Sequence, residues 1–229
     1  MKRFSFLFAI ALFFSSCTLV YFTSDQPSGV EALREVPQTL WGKYSGGSDS
    51  LVIRADGFTT IEHKDNSVAL KDTLSAGLTR TPAGAWKFGG AQAQLYHVRE
   101  VKNDTVYYTR RKVMSYKLGP DTLLKSYKGN YFLSMKHGKV WLVYQVSTAK
   151  KGHIAIEVPY LDRKEHGEMK KRLEEKAADS TGFYSSVTPF RLLEGEDVPA
   201  YVVTAKPEQL LQLMKKGLFK PVATFKKIN

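Results

Sequence analysis

A single cysteine, Cys17, stands among the 229 residues, so no disulfide can form within the chain and no multi-cysteine zinc site can be built. Histidine is nearly as sparse: His63, His97, His137, His153 and His166 are the full set, and no two are four residues apart as a helical metal site requires. The signatures HExxH, CxxC, GxSxG and GxxxxGK[ST] are all missing, which removes the common zinc-protease, dithiol, serine-hydrolase and P-loop classes. No apolar run is long enough to cross a bilayer core, which takes about 20 residues as a helix. No long run of basic residues occurs either; the lysines and arginines fall in short clusters such as Arg110 to Lys112 and Lys170 to Arg172.

What is present begins at the amino end. Lys2 and Arg3 precede Phe4 to Phe14, an apolar stretch interrupted only by Ser5 and free of charge. A short basic region followed by a short apolar one is the pattern of an export signal. Phe14, Ser15 and Ser16 then lead into Cys17. This segment resembles the lipobox of bacterial lipoproteins, with Phe14 where that family prefers Leu. The resemblance implies a signal peptide over 1–16, cleavage before Cys17, and fatty acylation of Cys17, which also accounts for an odd cysteine in an exported chain. Cysteine catalysis is excluded once that thiol is acylated. Two or more acyl chains hold a protein on a membrane durably, so the first expected partner is the membrane itself. The acidic cluster that follows the Cys in some surface-displayed lipoproteins is represented here by Asp25 alone, and the expected location is the outer membrane, facing the periplasm.

The net charge is +12. Without Lys2 and Arg3 the remainder keeps 32 basic against 22 acidic residues, or +10. For a cytoplasmic protein that balance points to nucleic acid; in an exported one the polyanions at hand are lipid headgroups and acidic glycans, so nucleic acid is not an expected partner.

Residues 17–36 contain Ser24-Asp25-Gln26-Pro27-Ser28-Gly29 and little periodicity, and read as a flexible lipid-anchored tether. A β domain is expected over 37–160. Asp56-Gly57 between two β-forming runs predicts a type I′ hairpin. Asn103-Asp104, Lys136-His137-Gly138 and Lys150-Lys151-Gly152 separate further β-forming runs, and connections this short force antiparallel neighbours. Val140 to Tyr144 is apolar on both faces and predicts a central strand. Gly42-Lys43-Tyr44 and Gly129-Asn130-Tyr131, each followed by a turn and an apolar run, suggest a faint repeat.

After Pro159 the periodicity changes. Asp162 and Glu165 have capping-box spacing ahead of a helix, Pro207 and Gly217 bracket another, and Ala200 to Thr204 and Val222 to Phe225 read as strands. The expected architecture is therefore β-rich α+β: an antiparallel β-meander, as a sheet or partial barrel, followed by a C-terminal helix-strand segment over 161–229 packed on it.

Candidate chemistry is thin. No catalytic, metal-binding or cofactor-binding residue can be assigned, and no cofactor is expected. His153 and Glu157 share a strand face about 13 Å apart, too far to hold one metal, and His166-Gly167-Glu168 fits a helix start. Asp49, Asp56, Glu62, Glu100, Asp104 and Glu157 lie on or between β-elements and are the available acid pairs for hydrolysis. Trp41, Trp86, Trp141, Tyr107, Tyr108, Tyr131 and Tyr144 can serve either a sheet core or a sugar- or lipid-lined cavity. Gly84-Ala85-Trp86 matches the short GxW element of lipocalins, but mid-chain and without the rest of that signature. The leading expectation is an envelope lipoprotein that binds a lipid, glycan or protein without catalysis. The alternatives are a carboxylate-based hydrolase of envelope glycans and a docking subunit of an outer-membrane complex.

Overall fold

The computed structural model describes residues 18–73, 77–89, 95–149, 152–174, 187–193 and 200–228. In chain order the strands are β1 (Thr18–Phe22), β2 (Gly42–Gly46), β3 (Asp49–Arg54), β4 (Gly57–Ala69), β5 (Leu78–Arg80), β6 (Trp86–Phe88), β7 (Tyr96–Lys102) and β8 (Thr105–Lys117). They continue as β9 (Thr122–Tyr127), β10 (Asn130–His137), β11 (Val140–Ala149), β12 (His153–Leu161), β13 (Phe190–Leu192), β14 (Tyr201–Val203) and β15 (Phe219–Ile228). Helix α1 (Arg163–Glu174) follows β12, and α2 (Pro207–Lys215) precedes β15. The fold is thus mostly antiparallel sheet, not closed into a barrel, with a C-terminal helix followed by a strand.

Contacts divide the chain elsewhere than at residue 160. One compact unit comprises the described residues up to Glu35 together with Leu118–Thr224; the other comprises Val36–Lys117 and the last residues of β15, from Phe225 on.

In the first unit β11 occupies the middle, as its two apolar faces predict. β10 pairs along one side from Tyr131↔Val146 to His137↔Val140. On the other side β12 pairs from Gln145↔Glu157 to Ala149↔His153, and β1 meets β11 at Phe22↔Trp141. Pro159 marks the changeover: with no N–H to give to a ladder, it separates the part of β12 that faces β11 from Tyr160 and Leu161, which face Leu19 and Thr18 of β1.

β1 corrects the reading of 17–36 as a flexible tether. Thr18 to Phe22 pairs in parallel with β14, and Val20 and Phe22 are fully buried. The run Thr-Leu-Val-Tyr-Phe is strong β-forming sequence, and in the sequence it sits between an apolar segment and a polar stretch that together disguise it. That polar stretch is also held: Gln26 is buried, its N–H donates to Ser134 Oγ at 2.9 Å, and Leu33 N–H donates to Leu124 O at 2.8 Å.

The helices pack on this unit through one apolar cluster that includes Phe22, Phe132, Val143, Met169, Tyr201, Leu210, Leu213 and Phe219. Their ends follow local chemistry. Asp162 Oδ1 accepts the backbone N–H of Lys164 and Glu165, each at 3.0 Å, while Glu165 Oε2 accepts Asp162 N–H at 2.8 Å, a complete capping box. At the far end of α2, Gly217 has φ +81°, its N–H reaches Met214 O and Leu218 N–H reaches Leu213 O, the paired bonds of a Schellman stop.

In the second unit the strand order is β2-β3-β4-β8-β7, with Lys226 to Ile228 of β15 on the free side of β2. β4 and β8 pair over thirteen rows, from Gly57↔Lys117 to Ala69↔Thr105, a ribbon about 40 Å long at the usual rise of a strand. The distal end has its own small core, where Leu78 and Phe88 of the β5–β6 hairpin and Val106 are buried against Val68, Trp86, Tyr96, Val98 and Tyr108. The turn into β8 is the predicted one: Asn103 and Asp104 both have positive φ, 49° and 53°, as a type I′ hairpin demands. The β3–β4 hairpin forms where Asp56-Gly57 predicts, but displaced by one residue. Its loop is Ala55-Asp56, and Gly57 is already paired with Arg54 and with Lys117. Glycine is required there because a Cβ would lie 2.1 Å from Tyr116 O, at a φ of +148°. The two Gly-x-Tyr segments each open a hairpin strand, yet Gly42 has φ +153° with Lys227 beside it, and Gly129 turns the chain at φ +79°.

Candidate functional site

The middle of the β4–β8–β7 ribbon gathers a set of chemistry-bearing side chains. Register puts Glu62 opposite Lys112, His63 opposite Arg111 and Lys64 opposite Arg110, in three successive rows, with Tyr96 of β7 on the other side of Arg110. Alternation along a strand places Glu62, Lys64, Arg110, Lys112 and Tyr96 on one face, and His63, Asp65 and Arg111 on the other. The Arg110 guanidinium lies 5.8 Å from the centre of the Tyr96 ring, within cation–π range. Asp65 is already engaged, salt-bridged to Arg99 Nη1 at 3.1 Å and accepting from Thr109 Oγ1 at 2.8 Å.

β3 brings Asp49 to the edge of this patch. Its Oδ1 accepts the backbone N–H of His63 at 3.1 Å, and His63 Nδ1 lies 2.9 Å from Ser48 O. A carbonyl can only accept, so Nδ1 carries a proton. Glu62 has its carboxyl pushed above the usual carboxylate range, first by partial burial and then by the neighbouring Asp49 charge, against the lowering influence of Lys112 and Arg110.

Of the six carboxylates proposed from sequence, the fold therefore brings Asp49 and Glu62 into electrostatic contact. Asp56 pairs with Lys117 at 3.7 Å. Glu100 lies opposite Tyr107, and Asp104 turns the β7–β8 hairpin. Glu157 belongs to the other unit, opposite Gln145 on β12, where burial raises its pKa.

The first unit holds two further polar clusters. Lys220 Nζ bridges Glu165 Oε2 and, at 3.5 Å, Asp162 Oδ2, and it lies 4.9 Å from the Tyr160 ring centre. His166 Nδ1 is 3.3 Å from the hydroxyl of buried Tyr201. The backbone N–H bonds of Glu165 and Lys164 hold the Asp162 carboxyl below its ordinary range, with Lys220 adding to them. These groups hold α1 to β15. Elsewhere, an open depression of 390 Å³ beside α2 is lined by Val187, Gln212, Lys215 and Lys216.

The seven aromatics divide between the two units. Trp41 donates to Val36 O at 2.7 Å, Trp86 and Tyr108 pack in the distal ribbon core, and Tyr107 faces Ser67 and Glu100; these four belong to one unit. Trp141, Tyr131 and Tyr144 belong to the other, where Tyr144 is buried and its hydroxyl pKa is raised by desolvation. Trp86, the Trp of the GxW match, sits on a three-residue strand opposite Arg80.

No protein-family model matches the chain, and neither does any curated protein or solved structure compared with it. Function is therefore argued from residues alone. Among the described residues no three His, Cys, Asp or Glu side chains group so as to hold a metal ion, and no helix is long and apolar enough to cross a membrane. Cys17 lies outside the described residues. The ribbon patch escaped the sequence analysis because its partners are far apart in the chain, although Arg110-Arg111-Lys112 was visible as a basic cluster.

Proposed function

We propose that the chain is an exported, lipid-anchored protein of the cell envelope that works as a noncatalytic binding module. The anchoring part rests on the amino-terminal segment, with its basic start, short apolar run and Ser15-Ser16-Cys17 junction. The position of β1 bears on it: Thr18 is already in a buried strand, so about one Cα–Cα step of 3.8 Å separates Cys17 from the folded body. Acyl chains on Cys17 hold that body directly at the headgroups, without a swinging linker.

The binding part rests on one observation. Lys64 and Arg110 stand directly opposite each other on exposed strand positions, an arrangement of like charges that weakens a sheet and that an anionic partner relieves. Expression in a lipid-modifying host tests the anchor: wild-type protein fractionates with membranes and takes up labelled palmitate, and Cys17→Ala abolishes both. An unmodified Cys17 in the mature product overturns it.

A second reading is favoured by Asp49 and Glu62. Two interacting carboxyls, one of them shifted upward, are the raw material of acid–base hydrolysis. That reading requires glycan-hydrolysing activity that Glu62→Gln removes while the protein stays folded; the binding reading requires no turnover by either form.

A further inference from the structure

We propose that the outward face of the sheet formed by the end of β15 with β2, β3, β4 and β8 is a docking surface for an anionic lipid bilayer. Its cations meet the headgroups, and a stripe of aliphatic side chains meets the acyl boundary. The inference goes beyond the reading above. The face lies opposite the one that carries Lys64 and Arg110, and it needs neither acylation of Cys17 nor export, since a bilayer is open to a chain on either of its sides.

Alternation decides which side chains share the face. Tyr44, Leu51, Ile53 and Phe58 are buried on one side of the sheet, so their neighbours in sequence point the other way. Register lines these up in two rows: Ile228, Lys43, Val52, Thr59 and Ser115, then Lys226, Ser45, Ser50, Ile61 and Val113. Arg54 and Lys117 flank the rows at one end, His63 and Arg111 at the other. None of these residues is buried, and Val113 and Ile228 keep 43% and 46% of their surface.

Two properties of the face name the occupant. The first is aliphatic. Ile61 stands directly opposite Val113, Val52 lies diagonal to Ile61 on the neighbouring strand, and Ile228 continues the stripe beyond Lys43. The second is charge. Lys43, Arg54, Arg111, Lys117 and Lys226 are five cations, and the nearest acids are two: Asp56, salt-bridged to Lys117 at 3.7 Å, and Asp49, which accepts the His63 N–H. The excess is three, and Asp65, one row further, is matched by Arg99 at 3.1 Å.

A second copy of this face would set cation against cation. A nucleic acid or other polyanion would meet the charge, but it has nothing to place on four aliphatic side chains, and these rows offer it no Phe, Tyr or Trp ring for stacking. An anionic bilayer supplies both complements, because binding at its surface grows with the apolar area buried at the headgroup boundary and with attraction to anionic lipid.

The experiment uses the full-length Cys17→Ala chain, which has no other cysteine. A polarity-sensitive fluorophore is attached through Val113→Cys on the proposed face, or through Lys64→Cys on the opposite one. With phosphatidylglycerol vesicles the fluorophore at position 113 is expected to shift to the blue and that at position 64 to stay as in buffer; phosphatidylcholine vesicles are expected to shift neither. Lys43→Gln combined with Arg54→Gln is expected to weaken partitioning onto phosphatidylglycerol by about tenfold, and high salt to weaken it by screening. Ile61→Thr combined with Val113→Thr keeps β-branched side chains and is expected to weaken partitioning without changing its salt dependence. The Phe4 to Phe14 stretch is common to all variants and cancels in each comparison. No shift at position 113, an equal shift at position 64, partitioning indifferent to both double variants, or an equal shift at position 113 with double-stranded DNA overturns the proposal. Acylation of Cys17 is read separately, from palmitate labelling of the wild type, and its failure leaves this result untouched.

Discussion

Lys125 is buried on β9, and its ammonium is salt-bridged to Asp25 while donating to Pro27 O at 3.0 Å. The pair joins residues 98 to 100 positions apart, and it clamps the segment after β1 onto the sheet.

An asymmetry follows from exposure. Asp25 keeps 28% of its side-chain surface, Lys125 only 5%. Asp25→Asn leaves a buried ammonium with only neutral oxygen acceptors, and is expected to cost about 2 kcal/mol or more. Lys125→Met leaves a carboxylate that can reach water and puts a well-fitting apolar stem in the core, so its cost is expected below about 1 kcal/mol. Urea unfolding of both variants checks the order; equal losses would mean that the pair is not a latch.

Glycines separate in the same way. At Gly57 an added methyl meets the Tyr116 carbonyl oxygen at 2.1 Å, whereas Gly47, at φ +64°, has nothing within 4 Å of its would-be Cβ. Gly47→Ala therefore carries only the left-handed backbone cost of about 1 kcal/mol. Gly57→Ala must also push apart β4 and β8, and is expected to lose about 3 kcal/mol. Denaturation midpoints of the two variants, measured side by side, decide whether the clash is real.

These positions show what could be read from sequence and what could not. The Asn103-Asp104 turn, the Asp162–Glu165 box and the Gly217 stop are local events, each set by a few neighbouring residues, and each was legible. β1 was not, because its short β-forming run is hidden between an apolar segment and a polar stretch, and its partner β14 comes more than 180 positions later. The distal half of β4 fails for a related reason. Glu62 to Ser67 is polar on both faces, so no alternation marks it, and only the thirteen-row pairing with β8 makes it a strand. The candidate site inherits that difficulty: Arg110 to Lys112 could be seen as a cluster, but Lys64, Tyr96 and Asp49 join it only through register.

Glu62 supplies a pH signature for that site. Its pKa in the fold is raised, chiefly by burial, so the folded state holds this proton more tightly than the unfolded chain does. Its contribution is favourable below the unfolded carboxylate pKa and is lost as pH rises through the folded value. Ionisation therefore weakens the ribbon from the ordinary carboxylate range upward. Glu62→Gln cannot ionise, and is expected to be more stable than wild type at pH 7, with the two converging as pH is lowered towards 4. Thermal melts of both proteins across that range measure the difference. A variant less stable than wild type at pH 7 would mean that Glu62 is held there, ionised, as a working partner of Lys112.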